Sequence, residues 1–241
     1  MRKFVIGMAM ASTALTAPAT AREGQWYIEG SGGAMLVEDI DFDVNGNPDD
    51  AQADFENAGY DFGASVGYDF GAFRLEAEAS YRAADLEELQ AGGAGLQAGN
   101  PAGGPGTAFV SSSLPASGEV NALSFMLNGL FDFGPDDGIQ GFFGGGVGVA
   151  RVDLDGTAAL SGPGAYDDSD TGLAWQLLAG IRAPLSDSWD VGLKYRYFNA
   201  TNINIVDTRG FDLETDFSSH SLLGTVTYNF GGEAPPPPKL Y

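Results

Sequence analysis

Tyr60-Asp61-Phe62-Gly63-Ala64-Ser65-Val66-Gly67-Tyr68-Asp69-Phe70, a break at Gly71-Ala72, then Phe73-Arg74-Leu75-Glu76-Ala77-Glu78-Ala79-Ser80-Tyr81-Arg82: along this stretch apolar and polar residues trade places at nearly every step. Side chains of a β-strand point to opposite faces in turn, so the pattern predicts a hairpin with one oily and one charged face. Each arm matches the roughly 9–11 residues that a tilted strand needs to cross a bilayer. That is long for a soluble strand, which runs to about 5–6 residues. The stretch is read as two neighbouring staves of a membrane barrel.

The same two-residue test, carried outward in both directions, predicts eight strands. The first spans 26–36, with Trp26, Ile28, Ala34 and Leu36 outward and Tyr27, Glu29 and Ser31 inward. The hairpin supplies the second and third. The fourth, 120–133, sends Leu123, Phe125, Leu127, Phe131 and Phe133 outward and Ser124, Asn128 and Asp132 inward. The fifth, 140–152, sends Phe143, Val147 and Val149 outward and turns Gly144, Gly146 and Gly148 inward, leaving room for bulky lumen neighbours. The sixth, 173–185, has Trp175, Leu177 and Ile181 outward and Gln176, Gly180 and Arg182 inward, with Pro184 at its tolerated end. In the seventh, Trp189, Val191, Leu193, Tyr195 and Tyr197 oppose Asp190, Lys194 and Arg196. In the eighth, 217–230, Leu222, Val226, Tyr228 and Phe230 oppose Ser221, Thr225, Thr227 and Asn229. The fold class is therefore all-β, an eight-stranded antiparallel up-and-down transmembrane barrel.

The connections alternate in length. Short turns follow the second, fourth and sixth strands, while 37–57, 83–119, 153–170 and 199–216 are long and polar or glycine-rich. Short periplasmic turns and long extracellular loops are the asymmetry of bacterial outer-membrane barrels, which sets the orientation. Aromatic residues fall at the two interface levels this implies: Trp26, Tyr68, Phe70, Phe73, Phe131, Phe133, Trp189, Tyr228 and Phe230 at the periplasmic ends, and Tyr60, Tyr81, Trp175 and Tyr197 at the others.

Arg2 and Lys3 precede an apolar run from Phe4 to Leu15, and Ala19 and Ala21 offer an Ala-x-Ala cleavage site. Residues 1–21 are expected to be a signal peptide, 22–232 the barrel with four long extracellular loops, and 233–241 a proline-rich periplasmic tail. No segment has the about 18 or more continuous apolar residues of a spanning helix. With no cysteine in the chain, stability must come from closing the sheet. A formal charge of −22 excludes nucleic acid as a partner, because phosphate binding needs a basic surface. The 36 glycines and 44% hydrophobic content suit a barrel whose strands face inward with every second residue. The glycine run of the fifth strand lacks both a following helix and a phosphate-binding lysine, so no cofactor is implied.

With its leader, the glycine-rich fifth strand, Tyr195-Arg196-Tyr197-Phe198 and the closing Ser219-His220-Ser221-Leu222-Leu223-Gly224 through Tyr228-Asn229-Phe230, the chain resembles the eight-stranded outer-membrane barrels of the OmpA/OmpX and opacity-protein type. The resemblance implies the outer membrane of a Gram-negative bacterium, with its lipid and lipopolysaccharide as surroundings. It also implies that Tyr228 and Phe230 form part of the signal read by the barrel-assembly machinery. The hinge at Pro235–Pro238 leads, in OmpA-like proteins, to a peptidoglycan-binding domain; the chain ends at Tyr241, so peptidoglycan is not expected as a partner.

Five cations, Arg74, Arg82, Arg182, Lys194 and Arg196, have lumen parity. Glu29, Asp61, Asp69, Glu76, Glu78, Asp132 and Asp190 share it and are expected to neutralise them, because an unpaired enclosed charge costs several kcal/mol. An eight-stranded lumen is only wide enough for its own side chains, so this network predicts a plug. The expected function is a structural, envelope-integrity or surface-interaction role; the alternatives are a narrow porin-like channel and, behind it, an outer-membrane lipid hydrolase. The loops name no surface partner.

Two chemical alternatives are legible. His220, the only histidine, follows Ser218, Asp216 and Glu214 on one strand face, a grouping with the ingredients of a hydrolase set. Same-face neighbours stand about 7 Å apart, which favours a histidine that simply hydrogen-bonds a neighbouring strand. Asp41, Asp43 and Asn45 before Gly46 match the opening of a calcium loop, but Gln52 stands where a bidentate Glu belongs and no helices flank it. An acidic, solvated loop is the favoured reading there. No catalytic residue and no metal site are expected.

Overall fold

The computed structural model describes residues 24–38, 40–44, 47–54, 59–91, 114–135, 138–158, 166–206 and 212–230. The expected signal peptide, Asn45 and the expected tail lie outside them. Within the described residues every element is a strand: β1 (Gln25–Val37), β2 (Ile40–Val44), β3 (Asn47–Asp54), β4 (Gly59–Asp69), β5 (Phe73–Ala91), β6 (Leu114–Phe133), β7 (Gln140–Ala158), β8 (Tyr166–Pro184), β9 (Trp189–Val206) and β10 (Asp212–Phe230).

These ten segments make eight staves. Antiparallel neighbours follow one another around the wall, and β1 closes the ring against β10, from Trp26 opposite Phe230 to Val37 opposite Ser219. Where β1 ends, β2 takes over the same edge of β10, with Val44 opposite Leu213. Where β4 begins, β3 has already paired with β5, from Ala51 opposite Ala91 to Asp54 opposite Glu88. The ring is closed through its membrane-spanning part, which is what allows such a sheet to dispense with disulfides; beyond Leu173 and Thr201, β8 and β9 no longer pair with each other.

The hairpin that decides the fold pairs Asp69 with Arg74 and Tyr60 with Ala83, so both of its faces keep the alternation read from the sequence. Its turn is made by Gly71, whose φ of 100° is open to glycine at little cost. The Gly71 amide donates to Asp69 Oδ1 at 2.7 Å, and the Phe70 amide to the Phe73 carbonyl at 2.8 Å.

The long-loop boundaries need correction. The strands reach into the segments expected as loops at 83–119, 153–170 and 199–216: β5 runs on to Ala91, β6 starts at Leu114, β7 reaches Ala158, β8 begins at Tyr166, and β9 and β10 pair up to Val206 and Asp212. The first expected loop, 37–57, carries the β2–β3 hairpin. Once two strands are paired, backbone hydrogen bonds propagate through glycine and polar residues alike, so local composition underestimates strand length.

Large apolar side chains ring the outside. Leu127 is 69% exposed and Val147 67%, with Phe62, Leu75, Leu177, Leu193 and Val226 also outward. Below them runs a ribbon of aromatic contacts: Trp26–Tyr68 at 5.3 Å between centroids, Tyr68–Phe70 at 4.6 Å, Phe73–Phe131 at 5.3 Å and Phe131–Phe143 at 5.7 Å. Trp175 and Tyr197 pack at 5.4 Å near the opposite end of the belt. So continuous an apolar surface requires a non-aqueous surrounding.

Candidate functional site

The lumen holds a dense ionic layer. Arg196 on β9 reaches across the interior to β4 and β5, donating through Nη1 to both Asp61 oxygens at 2.9 Å and through Nη2 to Glu78 Oε1 at 2.8 Å. Arg82 lies 3.4 Å from the same Asp61, donates to Ser124 Oγ at 3.1 Å and Ser80 Oγ at 3.0 Å, and rests its guanidinium 3.7 Å from the centre of the Phe198 ring. Gln176 bridges Asn128 and Glu78, tying β8 to β5 and β6. One aspartate thus serves two guanidiniums, a geometry suited to their planar forked donors.

Nearer the short turns, Arg74 grips Asp132 through Nε at 2.6 Å and Nη2 at 3.0 Å, and its Nη1 donates to Glu76 Oε1 at 3.3 Å. Tyr27 donates to the same Glu76 oxygen at 2.6 Å. Arg182 donates to Gln140 Oε1 at 2.7 Å and spans Asp69 and Asp132 at 3.4 and 3.6 Å. Lys194 is paired with Glu29, whose other oxygen accepts from Thr227 Oγ1 at 3.1 Å. Asn229 donates to Asp190 Oδ2 at 2.9 Å. All ten of the predicted network residues, together with Asp61 and Asp69, therefore face one interior; Arg82 and Arg196 have no solvent exposure at all.

Above this layer the lumen changes character. Met35, Val37, Ala84, Val120, Ala122, Val152, Leu154, Phe198, Ala200, Ile203 and Phe217 are buried inside the barrel at the long-strand end. Sequence reasoning missed this apolar stopper because it assigned apolar residues to the outside. The signal was nonetheless present: Phe198 has the parity of Arg196, Met35 that of Glu29, and Ala84 that of Arg82. Outside the same level the wall is polar, with Glu38, Asp85, Glu119, Arg151, Asn202 and Asp216 exposed. Polarity therefore inverts along β1, β5, β6, β7, β9 and β10, from oil-out below to water-out and oil-in above.

His220 sits where the apolar belt ends. Its Nδ1 lies 2.7 Å from Tyr195 Oη and its Nε2 2.8 Å from Glu38 Oε1, with the Tyr197 ring 5.0 Å away. Ser218 and Asp216 are engaged elsewhere: Ser218 Oγ accepts from Asn199 Nδ2 at 2.9 Å, and Asp216 Oδ1 from the Asn202 amide at 3.0 Å. Ser218 and Asp216 thus have neighbouring-strand partners in place of His220, while the side chain of Glu214 lies outside the described residues. A bulge between Thr215 and Phe217 breaks the face on which those residues were aligned. Asp41 and Asp43 fall on β2, a paired strand rather than a ligand loop, and their side chains lie outside the described residues. Among the described residues no group of three or more His, Cys, Asp or Glu side chains is arranged to hold a metal ion. Tyr228 and Phe230 project outward on β10, edge to face at 5.0 Å, with Trp189 4.9 Å from Tyr228.

Residues 7–230 match the model of the outer membrane protein beta-barrel domain. Outer membrane protein PagN of Salmonella typhimurium is 26% identical over 244 residues, covering 90% of this chain and 94% of its own. Two solved structures share the fold: OprG, an outer membrane protein of Pseudomonas aeruginosa, at a TM-score of 0.52, 14% identity and coverage of 87% of this chain and 97% of that one, and Neisserial surface protein A at 0.51, 15% identity and coverage of 86% and 100%. With a closed eight-stave barrel, an apolar belt and this match over nearly its whole length, the chain belongs to the outer-membrane β-barrel family of Gram-negative bacteria.

Proposed function

We propose that the chain is a sealed outer-membrane barrel serving envelope integrity or surface interaction, and neither a pore nor an enzyme. The observation that carries this is the two-storey filling of the lumen, with the Arg196–Asp61–Glu78 clamp below and the Phe198, Phe217, Val152 and Leu154 stopper above. An ion would have to break buried ion pairs and then cross a dry layer, each step costing several kcal/mol. The competing reading, a narrow porin-like channel, needs a continuous polar path that the stopper interrupts. A hydrolase needs a nucleophile beside its base, and His220 is held instead by Tyr195 and Glu38.

In this reading residues 1–21 are the leader, 22–232 the barrel and 233–241 a periplasmic tail. Tyr228 and Phe230 are presented to the assembly machinery, and lipid and lipopolysaccharide surround the belt. Single-channel recording in planar bilayers tests the proposal. It predicts at most small, rare openings, whereas a stable ohmic conductance from every inserted molecule contradicts it.

A further inference from the structure

On β6, β7 and β8 the outward rows run from Leu127, Phe125 and Leu123 to Asn121 and Glu119, from Val147 and Val149 to Arg151 and Asp153, and from Leu177, Trp175 and Leu173 to Thr171 and Ser169. The first polar rows above the belt enclose a cleft of about 330 Å³. Glu119, Asn121, Arg151, Asp153, Asp168 and Ser169 line it, with Leu154. Its size is at the lower end of small-ligand sites, which begin near about 300 Å³.

The polar groups of the cleft hold one another in place. Arg151 donates through Nη2 to Ser169 Oγ at 2.8 Å and through Nε to Asp153 Oδ1 at 3.4 Å. Tyr81, the last aromatic of the belt on β5, donates to Asn121 Oδ1 at 2.6 Å, which directs the Asn121 amide nitrogen away from it as a donor. Planar donors (guanidinium, amide) thus alternate with carboxylate acceptors along the cleft. Adjacent hydroxyls of a sugar, each both donor and acceptor, are matched by such an alternation. Three acidic residues against one arginine disfavour sulfated or phosphorylated ligands, since like charges brought together are a strong element of rejection.

We propose that this cleft is a binding site for an uncharged or amino-bearing saccharide, presented at the level where the polar heads of the outer leaflet stand. The proposal rests on the surface-interaction part of the function above. Its failure leaves the sealed lumen, which is read by conductance, standing.

The test uses the full barrel in lipid nanodiscs free of lipopolysaccharide, titrated calorimetrically with a glucosamine trisaccharide and with its sulfated counterpart. Wild type is expected to bind the unsulfated sugar and to reject the sulfated one. Arg151→Ala at an exposed and Asn121→Leu at a half-buried position of the outer wall, both checked for heat-modifiable migration, are each expected to weaken binding about tenfold or more, the loss of a charged or oriented hydrogen bond. Repeating the titration with lipopolysaccharide in the nanodisc identifies the source: competition assigns the site to a glycolipid of the same leaflet, and undiminished binding assigns it to a saccharide from outside. No binding by wild type, undiminished binding by either variant, or preference for the sulfated sugar would each overturn the proposal.

Discussion

Arg196 concentrates the logic of the lumen in one side chain. It holds Asp61 and Glu78 from the far wall at 2.8 to 2.9 Å with no access to water. Removing a single partner from such a cluster strands the others, so Arg196→Met is expected to lower stability by about 3–5 kcal/mol. Urea unfolding from lipid vesicles checks it, and a loss below about 1 kcal/mol would mean that water reaches these carboxylates. His220 is the opposite case. It lies at the half-exposed outer wall with partners that water can replace, so His220→Ala is expected to change stability by less than about 1 kcal/mol. The same variant and wild type are both expected to leave the ester bonds of vesicle phospholipids intact in a deacylation assay; release of fatty acid by wild type and not by His220→Ala would restore the hydrolase reading.

Among the elements, the close approach of β6 and β7 depends on glycine. A Cβ at Gly144 would run into the Gly129 carbonyl oxygen and come within 2.8 Å of the Leu130 Cα, both backbone atoms that cannot swing aside. Gly144→Val is therefore expected to cost about 1–3 kcal/mol through overpacking, seen as a lower unfolding midpoint in urea and a weaker folded band in unheated gels. The strands also show where the sequence was readable and where it was not. In Tyr60–Arg82 the lipid face and the lumen face differ in polarity at every step, so period and orientation come from the residues alone. Beyond Arg82, Val120, Arg151 and Phe198 the two faces exchange polarity, and a rule that sends oil outward loses the strand. The extension of β8 back to Tyr166 was hidden because Asp167-Asp168-Ser169-Asp170-Thr171 is polar on both faces and so shows no two-residue alternation. The lumen charges were legible because parity alone places them; their pairing was not, since Arg196 finds Asp61 across the barrel, 135 residues away in sequence.

For the whole molecule the barrel is two structures on one set of staves: a membrane section with an ionic interior, and an extension above it with an apolar interior and an acidic outer wall. Each section places its apolar surface against the medium that accepts it, lipid below and its own core above. This inversion lies along single strands within a sealed barrel. Spin labels placed singly at Leu127, Asn121 and Val152 in the protein reconstituted in lipid bilayers, read by collision with oxygen and with a water-soluble nickel complex, test it most directly. Oxygen-dominated relaxation is expected at Leu127, nickel-dominated relaxation at Asn121, and little of either at Val152. Strong nickel collision at Val152 or at Leu127 would contradict it.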